Sequence, residues 1–174
     1  MSLSLYELCV PSYLQSLDAL ANVLATGKEH CAANDIDLDE LINFRLRDDM
    51  LPFSFQVISV WHHSLGAIKG IKAGEFAPPP KVEGIDYAGL QGLVAEASEA
   101  LRGESSAEIE ALDGKPLVFK VSGNEIPFTT RDFIQSFSLP NFYFHATTTY
   151  TILRVHGVPL GKMDYLGALR VAGS

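Results

Sequence analysis

The segment from Pro52 to about Lys72 constrains the fold more than any other part of the sequence, because it is apolar around much of a helix circumference. Its apolar side chains are Phe55, Val57, Ile58, Val60, Trp61, Leu65, Ile68 and Ile71. A helix of this kind is buried by other elements on most of its sides. Gly74 and the three prolines at 78–80 end it, because three consecutive prolines cannot continue a helix. The sequence therefore predicts a heavily buried second helix.

Two further helical segments flank this helix in the sequence. The first runs from Leu3 to about Cys31, with apolar residues at spacings of three and four. Pro11 lies inside it and predicts either a kink or a late start. The third begins near Asp86 and ends near Gly103. Both can pack an apolar face against the second helix.

A small β-hairpin is predicted in the connection before the last helix. Residues 117–121 and 126–129 are mostly apolar and lie on either side of a glycine–asparagine turn at 123–124. Thr129 or Thr130 can then cap the helix that follows.

The last helix carries aromatic and β-branched residues, and Pro140 predicts a kink within it. Together the segments predict an all-α fold, a four-helix bundle with a small β-hairpin before the last helix. Because no low-complexity linker separates the segments, residues 1–174 are expected to form a single domain.

Charge and cysteine content narrow the partners and the compartment. The net charge is −8, and the 13 lysines and arginines form no cluster, which disfavours nucleic acid and anionic membrane surfaces as partners. No stretch approaches the roughly 20 apolar residues of a membrane span, and no secretory signal is visible. Cys9 and Cys31 would lie roughly 33 Å apart on one helix, too far for a disulfide. We expect a reduced, cytoplasmic location.

Histidines mark the candidate site. His62 and His63 lie on the second helix, and only one of them can face the core, because neighbours on a helix point about 100° apart. His145 lies on the last helix, and a helical projection places Phe137, Asn141, Phe144, Thr148 and Ile152 on its inward face. Asn141, Thr148 and Thr149 are candidate hydrogen-bond partners in a small pocket. A hydrogen-bonded core histidine is the competing interpretation.

Other catalytic motifs do not occur in the sequence. It contains no GxxxxGK[ST] or GxGxxG loop for phosphates, no GxSxG nucleophile turn and no HExxH zinc motif.

The segment LPNFYFH at 139–145 and the segment GKMDYLG at 161–167 resemble a branch of the DinB/YfiT-like superfamily whose function is unknown. The resemblance implies a four-helix bundle, often dimeric, that binds a divalent metal such as zinc or nickel. In that superfamily one histidine of the second helix and two histidines of the last helix, at HxxxH spacing, hold the metal. Some members are metal-dependent transferases or isomerases that use a low-molecular-weight thiol.

Carried onto this chain, the resemblance implies that His145 is the second histidine of HxxxH and that Asn141 stands at the first position. The second-helix ligand is then His62 or His63, or Ser59 in an alternative register. An amide oxygen is a poor zinc ligand compared with imidazole.

Three functions remain open from the sequence. The chain could be a metal-dependent transferase-like enzyme acting on a small molecule or thiol, a non-catalytic protein that binds a small ligand, or a structural bundle. A homodimer is expected, from the resemblance and from the aromatic residues of the last helix.

Overall fold

The computed structural model describes residues 3–171, and it is mostly helical with a small sheet. The α-helices are α1 (Leu5–Ala33), α2 (Leu38–Asn43), α3 (Phe53–Trp61), α4 (Ala67–Ala73), α5 (Tyr87–Arg102), α6 (Ser106–Glu110), α7 (Thr130–Phe133), α8 (Leu139–Val155) and α9 (Lys162–Leu166). Two π-helical turns are π1 (His62–Gly66) and π2 (Ile134–Ser138). The strands are β1 (Glu75–Phe76), β2 (Pro116–Val121) and β3 (Asn124–Thr129).

The π turns join shorter helices into long segments. Because π1 connects α3 to α4, residues 53–73 form one helical segment, and π2 likewise joins α7 and α8 into the segment 130–155. With α1 and α5 these segments make a closed ring of contacts, in which α1 packs on α5, α5 on α3, α3 on α8 and α8 on α1. The continuous apolar core lies inside this ring.

The start of the first helix corrects one expectation. A late start after Pro11 is wrong, because Ser4 and Glu7 form a capping box that begins α1 at Leu5. The helix then continues through Pro11 to Ala33. Of the two threonines predicted as caps, Thr129 is the one used, because it accepts from the Asp132 amide at 3.1 Å. The helix predicted to begin near Asp86 is capped by Asp86, which accepts from the Gly89 amide at 2.7 Å.

The sheet has one strand more than predicted. The hairpin of β2 and β3 is present, but its turn residues are Ser122 and Gly123, with φ of 49° and 79°, because a tight hairpin turn of this type needs positive φ at both positions. The additional strand, β1, pairs in parallel with β2. It is only two residues long and follows Gly74, whose φ is 75°. No periodic pattern could reveal so short a strand.

The tail after α8 packs back on the first helix. The Gln15 side chain donates to the Leu166 carbonyl at 3.0 Å, and the Thr147 hydroxyl donates to the Tyr165 hydroxyl at 2.9 Å. Asp164 accepts from the Gly161 amide at 2.7 Å. The GKMDYLG segment therefore attaches its own short helix to α1 and α8. Along residues 3–171, no helix has both the length and the apolar character that a membrane span requires.

Candidate functional site

One face of α3 and π1 presents polar side chains to the last helical segment. Gln56, Ser59 and His63 are spaced by three and four residues and are all buried. His63 is 6% exposed. His62 turns the other way, and its Nε2 lies 2.7 Å from the Ala77 carbonyl oxygen. Of the two adjacent histidines, His63 is therefore the one that faces α8.

His145 meets His63 across this interface. The two imidazole rings are nearly parallel, at 12°, with centroids 6.1 Å apart. The predicted inward position of Phe144 is wrong, because 58% of its surface is exposed. The inner face of α8 instead runs through Phe142 and Ala146. A projection that includes Phe137 is out of phase, since Phe137 belongs to π2 and a π turn contains more residues than an α turn.

The predicted partners of His145 bond elsewhere. Asn141 donates its side-chain amide to the Phe137 carbonyl at 2.7 Å. Thr148 and Thr149 donate their hydroxyls to carbonyls one turn earlier, at 2.8 and 2.9 Å. Each of these three side chains therefore forms its hydrogen bond within its own helical segment. Asn141 and His145 do not form the side-chain pair that a filled core would contain.

Gln56 fixes the protonation of His145, and its role was missed from the sequence. The Gln56 amide nitrogen donates to the Leu51 carbonyl at 2.9 Å, so its oxygen must face His145. His145 Nδ1 lies 2.8 Å from that oxygen and must carry the proton. The lone pair of neutral His145 is therefore on Nε2. The position of Gln56, seven residues before His63 on the same face, is the signal that could have revealed it.

Two buried polar atoms at this site have no hydrogen-bond partner among the described residues. They are the Ser59 hydroxyl oxygen and His63 Nδ1. An unpaired buried polar group costs about 1–3 kcal/mol. Ser59 and His63 lie one helical turn apart and so are neighbours on the α3 surface. Polar atoms that are left unpaired in this way suit a site that receives a ligand.

Burial keeps both facing histidines neutral. Desolvation, together with the nearby His62 and His145, lowers the pKa of His63 to about 3. Desolvation also lowers the pKa of His145 to about 4. Much of the surrounding surface is aromatic: Phe76 and Phe137 lie 5.6 Å from the His63 ring, and Phe55 lies 5.8 Å from the His145 ring.

A buried hydrogen-bond chain ties the two π turns together. Ser138, in π2, donates its hydroxyl to the His63 carbonyl, in π1, at 2.7 Å. Because that hydroxyl proton is used, Ser138 accepts from the Tyr13 hydroxyl, also at 2.7 Å. The chain crosses three helical segments and holds the backbone of His63 in place. π turns inside α-helices frequently lie at functional sites.

Neither cysteine has the character of a nucleophile. Both thiols are free and buried. Burial raises the pKa of Cys9 to about 12 and also raises that of Cys31. A reactive thiol needs a lowered pKa and access to solvent, so the site lies with the histidines.

Sequence and structure comparisons identify proteins to which this chain is similar. A family model described as a domain of unknown function (DUF1993) matches residues 5–166. The chain belongs to this family. Its structure is similar to the crystal structure of a DinB family member protein from Shewanella denitrificans, with 26% sequence identity and a TM-score of 0.79 over 98% of this chain and 96% of that chain. No curated protein matches the sequence.

These matches confirm the predicted resemblance to the DinB-like superfamily, in a branch of unknown function. Within the DUF1993 match, His63 and His145 are the histidines that the structure brings face to face. Asn141 occupies the place where the resemblance implies a third imidazole, and its amide is bound to the Phe137 carbonyl.

The side chains that could bind a metal at this site of the DUF1993 protein do not match a three-histidine metal centre. The site offers two imidazoles, the neutral Gln56 amide and the Ser59 hydroxyl, and the amide oxygen already accepts from His145. Among residues 3–171, no group of three or more histidine, cysteine or acidic side chains could hold a metal ion. Zinc sites in proteins use three or four such ligands.

Proposed function

We propose that this DinB-like protein is a four-helix bundle that binds a small uncharged molecule between its second and fourth helices, at His63 and His145. The four long segments would form the bundle, and the short helices and the small sheet would be additions to it. The observation that carries the proposal is the pair of buried, unpartnered atoms on Ser59 and His63, beside a His145 whose tautomer Gln56 fixes.

The chemistry of the site selects the ligand. Neutral His145 has an unprotonated Nε2, which accepts a hydrogen bond from a hydroxyl, thiol or amide N–H. The surrounding aromatic rings of Phe55 and Phe137 favour an apolar body and disfavour a charge. Uncharged low-molecular-weight thiols fall within this class, and the superfamily resemblance implies thiols as substrates.

A second candidate function is a metal-dependent transferase-like enzyme. The observation in its favour is the hydrogen bond from His145 Nδ1 to Gln56, because metal-binding histidines generally donate their other ring nitrogen to an oxygen in this way. His145 and His63 would be two ligands to a divalent ion such as zinc or nickel, and further ligands would come from water or substrate. The bound ion would supply Lewis-acid activation.

The first experiment separates the two candidates by metal content. Protein purified without an affinity tag or chelator is analysed for metals, beside His145→Ala and the matched control His156→Ala. Close to one transition metal per chain, lost only in His145→Ala, supports the enzyme. No metal in any sample, even after incubation with zinc, nickel or manganese, supports ligand binding.

The second experiment tests ligand binding directly. The protein is titrated with 2-mercaptoethanol and, separately, with ethylene glycol, while the imidazole nitrogen signals of His145 and His156 are followed by NMR. The proposal predicts that His145 Nε2 shifts in a saturable way while His156 does not. If His145 does not respond to either probe and no metal is found, the structural role becomes the favoured interpretation.

A further inference from the structure

A second candidate site lies on the outer side of the same helix, away from His145. A cavity of about 340 Å³, open to solvent, lies between the second helical segment and the chain at 75–80. Its lining includes Trp61, His62, Gly66, Lys69 and Pro78. Its volume is at the lower end of the range for small-molecule pockets, which are mostly apolar with a few placed polar groups.

His62 presents a hydrogen-bond acceptor in this cavity. A backbone carbonyl can only accept, so the contact of 2.7 Å between His62 Nε2 and Ala77 O requires the proton on Nε2. The neutral ring therefore has its lone pair on Nδ1. The ring is held in place by stacking on Phe76, with centroids 4.5 Å apart.

Gly66 keeps the space beside that acceptor open. A Cβ atom at this position would lie 2.9 Å from His62 Nδ1, closer than real side chains approach. Any other residue would therefore cover the lone pair. The glycine lies at the end of π1, where the chain has no turn that demands a positive φ. Access to Nδ1 is thus a reason for glycine here that backbone conformation does not supply.

The cavity also has a cation that a ligand can use. Lys69 is exposed and lies 4.0 Å from Glu96, too far for a hydrogen bond. Glu75, the carboxylate in the lining, is held by Lys120 at 2.6 Å. Of the two charged side chains in the lining, Lys69 therefore has the weaker partner, and an anionic group on a ligand can compete with Glu96 for it.

We propose that this cavity binds a small planar aromatic carboxylate that carries a hydroxyl on the far side of its ring. The hydroxyl would donate to His62 Nδ1, the ring would pack among Trp61 and Pro78, and the carboxylate would pair with Lys69. His62 and Lys69 are seven residues apart, roughly 10 Å along a helix. One substituted ring with a hydrogen bond at each end spans such a distance.

Trp61 is the one tryptophan of the chain, so the indole N–H signal is assigned without ambiguity to a residue that lines this cavity. The test titrates the protein with 4-hydroxybenzoate, and in parallel with benzoate, which lacks the hydroxyl, and follows the indole N–H of Trp61 and the imidazole nitrogens of His62 by NMR. The expected result is saturable shifts of both residues with 4-hydroxybenzoate and an affinity at least about tenfold weaker for benzoate.

Two variants and one control decide the outcome. Gly66→Ala covers Nδ1 and Lys69→Met removes the cation, and each is expected to weaken binding of 4-hydroxybenzoate about tenfold or more. The control is Gly92→Ala, because nothing lies within 4 Å of an added Cβ there. The proposal is overturned if neither residue shifts, or if Lys69→Met binds as tightly as the wild type. His145→Ala should bind normally, which keeps this result separate from the function proposed above.

Discussion

His145 donates its Nδ1 proton to the side-chain oxygen of Gln56, 2.8 Å away, across the interface between the second and last helical segments. The bond sets the tautomer of His145 and leaves the lone pair of the neutral ring on Nε2. A neutral glutamine in this place, where a carboxylate would favour the imidazolium form, is consistent with a histidine that works uncharged.

Replacing Gln56 with Glu should raise the pKa of His145. A carboxylate beside Nδ1 stabilises the charged ring, and an opposite charge at this distance shifts a pKa by about 1–3 units. The pKa is therefore expected to rise from about 4 to between about 5 and 7. It is measured by NMR titration of the His145 ring, with Gln91→Glu on α5 as the control that adds the same charge elsewhere. An unchanged His145 titration in Gln56→Glu would contradict the contact.

Removal of the Ser138 hydroxyl should destabilise the protein markedly. Ser138→Ala leaves both the Tyr13 hydroxyl and the His63 carbonyl unpaired in the core, and each unpaired group costs about 1–3 kcal/mol. We expect the free energy of unfolding in urea to fall by about 2–4 kcal/mol. Ser136→Ala is the matched control, because that exposed hydroxyl bonds only within its own segment, to the Asp132 carbonyl. Equal losses of unfolding free energy in the two variants would refute a structural role for the hydrogen bonds that join Tyr13, Ser138 and His63.

The sequence predicted the elements that depend on local pattern. The apolar circumference of residues 52–72, the helix start near Asp86 and the hairpin strands all follow from spacing and residue type. It also identified the DinB-like resemblance, and it placed His145 opposite the second helix. The helices and the hairpin strands are determined by residues close together in the chain.

What the sequence could not predict depends on contacts between distant residues. The π turn at 134–138 is bonded through Ser138 to the backbone of His63, 75 residues away, so a period of 3.6 placed Phe137 out of phase with α8. Gln56 looks like an ordinary polar residue until the Leu51 carbonyl fixes its amide. Hydrogen-bond direction across an interface is a property of the packed structure, and no spacing rule contains it.

Acid should destabilise the protein through His63. In the folded state its pKa is about 3, whereas the unfolded ring titrates near 6.5, so the unfolded state binds more protons between these values. Stability is therefore complete above pH 6.5 and falls as the pH drops below it. Between pH 7 and pH 5 the loss due to His63 is expected to be about 1–2 kcal/mol.

The measurement compares the wild type with His63→Phe in urea at both pH values. Because the variant has no imidazole to protonate at this position, the unfolding free energy of the wild type relative to that of the variant should fall by about 1–2 kcal/mol from pH 7 to pH 5. Titrating groups far from position 63 affect both proteins equally and cancel in that difference. A difference that is the same at pH 7 and pH 5 would show that His63 is not kept neutral by burial.

We expect the protein to form a homodimer through the outer face of α8. Phe144 is 58% exposed and lies beside Tyr143, and large aromatic residues on a surface commonly mark an interface. Phe144→Glu would place a charge in that contact, which has a high desolvation cost. Sedimentation at micromolar concentration should therefore give a dimer for the wild type and a monomer for Phe144→Glu. Ile126→Glu, at an exposed apolar position on the hairpin, should remain dimeric. A monomeric wild type would rule the dimer out and leave Phe144 as part of the rim around His145, where its ring lies 5.1 Å away.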